Sequence, residues 1–195
     1  MKPRAIVTIA IPSIIALTFG IMTWANYNGL VTESKQVDLK QANILTALMS
    51  RNSLVNQLIV AADAYLDHES DVYQMITDAR SDYAEAVASG MYDDLVLSDA
   101  TTSIALTGLL VVVEDTPELQ ASSVITDLMA VMETQEWTLK NAREAYNEAA
   151  TDYNTSIELF PRVLFAKMFN YDQPRPLWMM TTGEEITVTF PSSDA

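Results

Sequence analysis

The sequence predicts an all-α protein: an N-terminal transmembrane helix that continues into an elongated antiparallel bundle of three or four helices, then a short extended C-terminal tail. Three observations carry that expectation. The chain opens with a long uncharged apolar run. Apolar residues then recur at helical spacing through most of the remainder. Only five glycines and seven prolines interrupt 195 residues, and Ala, Leu, Met, Glu and Gln, which favour helices, are common. Residues 1–26 are assigned to the membrane segment, 27–162 to the bundle, and 163–195 to an apolar, Pro-containing tail.

The first element is the stretch Ala5 to Ala25, AIVTIAIPSIIALTFGIMTWA. At 1.5 Å per residue it extends about 30 Å, enough to cross a hydrocarbon core. Pro12 and Gly20 are tolerated in such a segment because neighbours and local adjustments re-satisfy the backbone. Trp24 and Tyr27 stand where an interfacial aromatic belt belongs. Lys2, Arg4 and the amino terminus precede the run, whereas Glu33, Lys35, Asp38 and Lys40 balance after it. The positive-inside rule therefore puts the N-terminus in the cytoplasm and the bundle outside. A cleaved signal peptide is the competing reading. It fits less well, because Thr23-Trp24-Ala25 is a poor small-x-small site and the run exceeds a usual h-region.

From Leu30 the pattern turns amphipathic. Leu30, Val31, Val37, Ile44, Leu45, Leu48, Val55, Leu58, Ile59, Ala62 and Tyr65 form one stripe at spacings of three, four and seven. No Pro or Gly interrupts Leu30 to Leu66, so this helix is expected to continue the membrane helix, with Gly29 its weak point. A reversal is predicted at Asp67–Ser70. A second helix follows through Val72, Met75, Ile76, Ala79, Tyr83, Ala86 and Val87, and Ser89-Gly90 ends it. Met91 to Ala100 reads as acidic and irregular, and a helix is predicted from Ala100 to Val113. Thr116-Pro117 is a helix-start signal, with Thr116 as cap and Pro117 at the first helical position. The clearest element is the last long helix, where Leu128, Met132, Gln135, Leu139, Ala142, Tyr146, Ala149, Tyr153, Ile157 and Phe160 make a heptad seam. Pro161 stops it. Beyond lie the amphipathic RVLFAKMFNY, a Pro-containing connector, and EEITVTF, which reads as one strand or an extended tail.

Charge and composition exclude several classes. The net charge is −15, and −17 once Lys2 and Arg4 are set aside. A nucleic-acid binder presents a basic face, so none is expected as a partner. There is no cysteine, which removes disulfides and thiolate metal sites. His68, the single histidine, sits beside Glu69 but has no second His or Cys to complete a metal site. It reads as a turn residue. Asp93, Asp94 and Asp99 lack the alternating ligands and central glycine of a calcium loop and read as a solvated loop. Arg80 and Arg143, on adjacent helices, read as structural ion-pair partners of Glu69, Glu114 or Glu136. Tyr146 and Tyr153 read as core. No catalytic constellation, cofactor or metal is expected, and the chain does not read as an enzyme.

The chain resembles the LemA family. The residues are Leu54-Val55-x-x-Leu58-Ile59, Tyr65-x-x-His68-Glu69 and Ala79-Arg80. In the second half they are Glu114, Pro117-Glu118-Leu119-x-Ala121-Ser122, Glu136, Ala142-Arg143-x-x-Tyr146-Asn147, Tyr153-Asn154, Ile157 and Phe160-Pro161. Ser50-Arg51 stands where the family usually has paired arginines, and Asn56 where it has a proline. The resemblance implies an N-terminally anchored helical bundle of the bacterial inner membrane, without an established enzymatic activity. One branch of that family is associated with building magnetosome membranes, and others are often encoded beside membrane proteases or TPM-domain proteins.

These readings converge on a membrane-anchored structural or scaffold protein that self-associates and organises or remodels membrane. Its partners would be lipid, through the N-terminal helix, and further copies of itself. An accessory adaptor for a membrane protease or transporter is the alternative, and a small-ligand-binding module comes last. If the first helix leaves the membrane, the middle returns and the last long helix leaves again, the tail stands at the distal end, about 50–60 Å from the bilayer. Its apolar residues, Phe165, Met168, Phe169, Leu177 and Trp178, then either fold back or contact another copy.

Overall fold

The structure, a computed structural model, describes residues 3–62 and 71–178. His68, Glu69, the predicted reversal at Asp67–Ser70 and the EEITVTF segment lie outside the described residues. Among the described residues the chain is helical, with no strand: α1 (Pro3–Ala62), α2 (Asp71–Ser89), α3 (Tyr92–Asp115), α4 (Pro117–Gln120), α5 (Ser123–Glu158) and α6 (Arg162–Met168). They sort into two compact units. One holds α1, α5, α6 and the connector to Leu177; the other holds α2, α3 and Trp178.

In the first unit α1 is a single helix of 60 residues with Pro12 inside it, about 90 Å long. It passes Gly29 unbroken, as the stripe predicts, and it also runs straight through Asn56. Leu30, Val37, Ile44, Arg51 and Leu58 are buried at intervals of seven, with Ser34, Leu48 and Val55 between them and Ala62 one turn beyond. The facing row on α5 is Ile125, Met132, Leu139, Tyr146 and Tyr153, also seven apart, joined by Ala150 and Ile157. A seven-residue repeat keeps one stripe of each helix turned to its partner. The fully buried Ile44 and Leu139 each contribute about 2 kcal/mol by leaving water. The predicted seam is recovered with a small rotation: Leu128, Gln135, Ala142 and Ala149 are only half-buried. Phe160 is 81% exposed, because α5 ends at Glu158 before the seam would reach it.

α5 runs antiparallel to α1, since Glu33 meets Ser156 and Arg162 while Arg51 meets Glu136. Its C-terminal end therefore returns to the apolar N-terminal part of α1. Phe165 of α6 lies 6.2 Å from Phe19, and Phe169 lies 4.9 Å from Tyr27, between ring centroids. This corrects the distal placement expected for the residues after Pro161. That expectation ran the last long helix in the same direction as the first, whereas α5 pairs with α1 in the opposite direction.

The second unit is a helical hairpin. Gly90 adopts φ +65°, a conformation costly for any residue with a Cβ, and its N–H bonds Ala86 O at 3.1 Å. The Ser89 hydroxyl donates to Asp94 at 2.6 Å and accepts from the Met91 N–H at 3.1 Å. α3 starts at Tyr92, so the stretch expected to be irregular is helical. Asp93 and Asp94 occupy its first turn, where carboxylates favour the helix dipole. Ile76, Ala79, Tyr83 and Ala86 are buried on α2, and Leu95, Thr102, Leu106, Leu109 and Val113 on α3. Pro117 opens a helix as predicted, but α4 lasts one turn and the long helix restarts at Ser123.

Candidate functional site at the span-proximal end

The densest set of polar contacts in the first unit lies where α1 emerges from its apolar segment. Glu33 accepts from the Arg162 guanidinium at 2.7 Å and from the Ser156 hydroxyl at 2.5 Å. Gly29, one turn earlier, makes room for that guanidinium: a Cβ there would stand 2.7 Å from Arg162 Nη2. On the next turn Arg175 pairs with Asp38 at 3.0 Å and donates to the Ser34 hydroxyl at 3.1 Å. Its guanidinium carbon lies 6.0 Å from the centre of the Tyr153 ring.

The connector after α6 is strapped along α5 by side chains of the AREAYN…DYN motif. The Tyr153 hydroxyl donates to Tyr171 O at 2.7 Å, and the Tyr146 hydroxyl to Pro176 O at 2.9 Å. Asn154 clamps Arg175 from both sides, donating to its carbonyl at 2.8 Å and accepting from its N–H at 2.7 Å. A connector without regular structure must satisfy its backbone groups somewhere, and these side chains do so. Burial pushes the Tyr153 hydroxyl pKa up, and the Arg175 charge offsets part of that shift. The strap thus needs the neutral phenol.

Below this layer the contacts are aromatic. Tyr27 meets Phe169 edge to face at 4.9 Å and Tyr171 at 6.4 Å. Phe165 is buried against Phe19, whereas Leu159, Phe160, Leu164 and Met168 are exposed. The residues from 163 to 177 therefore fold back on their own chain. Phe165 and Trp178, expected as candidate assembly contacts, are buried within it; Phe169 is half-buried, and Met168 and Leu177 keep exposed surface.

A second polar layer sits in the α1–α5 seam. Arg51 is 1% exposed and pairs with Glu136, a residue expected to pair with Arg80 or Arg143. Arg80 and Glu114 lie at exposed positions, Pro117 likewise, and Arg143, Asn147 and Pro161 are half-buried. In the other unit Asp99 is buried rather than solvated, and it accepts from Trp178 Nε1 at 3.3 Å. Tyr92 packs edge to face on Trp178 at 5.2 Å. Asp94 is engaged with Ser89, so the three aspartates do not converge. Among the described residues no group of three or more His, Cys, Asp or Glu could hold a metal ion.

The sequence reading missed Gly29, Glu33, Arg51, Arg162 and Arg175. One signal was available: Arg51 stands on the seven-residue row of Leu30, Val37, Ile44 and Leu58, and a charge on a core row marks a buried pair. The apolar part of α1 is long and apolar enough to cross a membrane. α3 passes the same test of length and composition, with 44% of its window buried; it packs against α2 and carries the buried Asp99.

Residues 40–190 match the LemA family. The chain belongs to the LemA family. Two curated relatives, Magnetosome protein MamQ 1 and Magnetosome protein MamQ 2 of Paramagnetospirillum magneticum, are each 23% identical to it over 181 residues. The match covers 81% of this chain and 66% of each relative, so the chain spans slightly less than two thirds of their length. Three of the motif residues that the family resemblance rests on, Tyr146, Tyr153 and Asn154, hold the connector.

Proposed function

We propose that this LemA-family protein is a membrane-anchored scaffold that self-associates and organises or bends the bilayer it crosses, with its N-terminus in the cytoplasm. The observation that carries the reading is the continuity of α1. One unbroken helix holds both the candidate span and the bundle seam, and α6 braces it where the two meet. A flexible joint would let the bundle tumble independently of the membrane. A continuous helix instead converts contacts between bundles into forces on the bilayer. Two MamQ relatives are named as magnetosome proteins, which supports a structural role for this chain.

Self-association has surface to use. Met49, Leu54, Val131, Gln135 and neighbouring serines line an open groove of about 450 Å³ on the first unit, and Trp137 is exposed. The acidic charge opposes close approach. At 0.15 M salt the Debye length is about 8 Å, so added salt relieves that repulsion. Light scattering of the full chain in mild detergent tests the reading across a salt series. Oligomers that grow with salt support it, and a monomer at every salt concentration overturns it.

A further inference from the structure

We propose that the α5–α6 corner is a second membrane-inserting element, a wedge seated in the leaflet on the bundle side, directly beside the candidate span. Its lipid-facing residues are Leu159, Phe160, Leu164 and Met168. The inference rests on the reading that the apolar segment of α1 crosses the membrane.

Three observations place it there. The first is depth. Phe165 packs on Phe19, six residues before Ala25, the end of the apolar segment assigned to the span, hence about 9 Å below that end. Helices that lie in the interface bury their apolar face to a similar depth of about 5–10 Å. The second is exposure. Phe160 is 81% exposed, and Leu159, Leu164 and Met168 are each more than half exposed. In water these four would hold large apolar side chains exposed without purpose; beside acyl chains they are in their preferred solvent. The third is the polar boundary. Glu33, Arg162 and Ser156 form the charged layer, with Glu33 nearly four turns of α1 beyond Phe19, about 21 Å above it. Lys167, the remaining cation of α6, is exposed and long enough to reach the headgroups. Tyr27, Phe169 and Tyr171 fall between the charges and the apolar corner, at the level of an aromatic belt.

The chosen occupant is lipid rather than a second copy because the patch is continuous with the span itself. Whatever surrounds the exposed Phe19 also borders α6, whose Phe165 packs on it and whose Leu164 and Met168 are exposed. An element inserted in only one leaflet occupies area there and none in the other. That asymmetry supplies a bending moment for the proposed scaffold.

The chain has no cysteine, so single-cysteine spin labels give clean depths. Full-length F160C, L164C and M168C are reconstituted in phosphatidylcholine vesicles, with I15C as the span control and T155C as the solvent control. Accessibility to oxygen is compared with accessibility to a polar nickel chelate. The expected result is oxygen-rich, nickel-poor labels at 160, 164 and 168, as at 15, and the reverse at 155. Nickel-accessible labels at 160, 164 and 168 with a buried label at 15 overturn the wedge and leave the anchor standing. A nickel-accessible label at 15 overturns both. Labels at 160, 164 and 168 that are shielded from both reagents and immobile overturn lipid in favour of a protein contact.

Discussion

Removing Glu136 should cost far more than removing Arg51, although the two form one ion pair. Arg51 is 1% exposed, while the Glu136 side chain keeps 40% of its surface. A guanidinium does not lose its proton inside a protein, so Glu136→Ala leaves a charge stranded in the seam. Breaking a buried pair in this way costs about 3–5 kcal/mol. Arg51 has further interactions beyond Glu136, which places the expected loss at the low end, about 3 kcal/mol. Arg51→Met leaves Glu136 free to turn to water and puts an apolar chain of similar length in the seam. Its expected cost is below about 1 kcal/mol. Urea unfolding of full-length protein in mild detergent, followed by circular dichroism, reads both as midpoint shifts at constant slope. The reasoning is refuted if Arg51→Met destabilises as much as Glu136→Ala, or if Glu136→Ala costs less than about 1 kcal/mol.

Other substitutions test the span-proximal layer. Asn154→Ala removes both hydrogen bonds to Arg175 and should cost about 2 kcal/mol, with faster hydrogen exchange and proteolysis confined to residues 170–177. Gly29→Ala gains about 1 kcal/mol of helix propensity but displaces the Arg162 guanidinium. The Glu33–Arg162 coupling in a double-mutant cycle, about 1 kcal/mol in the native chain, should therefore vanish in the Gly29→Ala background. Tyr153, whose folded pKa is raised, gives stability that is complete below its ordinary value near 10. That stability is lost as pH rises through the folded pKa, because the unfolded chain releases the proton first. Thermal melts should fall above about pH 10, and Tyr153→Phe should flatten that fall while lowering stability at neutral pH.

Much of this architecture was written in the chain, and the reasons are specific. The apolar stripe of α1 and the heptad seam of α5 predicted two long amphipathic helices that need partners, because helical periodicity marks the buried face whichever helix covers it. Gly90 and Pro117 marked boundaries through backbone geometry that tertiary contacts did not override. Met91 to Ala100 misled because its acidic residues resemble a loop, whereas at a helix N-terminus they favour the dipole. The direction of α5 was not legible, since heptad rows pair equally well parallel or antiparallel. That single ambiguity moved the α5–α6 corner from the far end of the bundle to the candidate span. The site was less legible than the fold. Tyr146, Tyr153 and Asn154 were visible as a motif and as core, but their acceptors are backbone carbonyls of a connector that carries no pattern of its own. Arg162 and Arg175 were isolated charges until α1 brought Glu33, Ser34 and Asp38 to them.

The most direct test of the scaffold claim is electron cryo-tomography of the full chain reconstituted in vesicles at rising protein density. The account predicts clusters or ordered arrays of the bundle on the membrane, with local curvature that increases where the protein is dense. Single bundles scattered at random on vesicles of unchanged curvature, at every density reached, would contradict it.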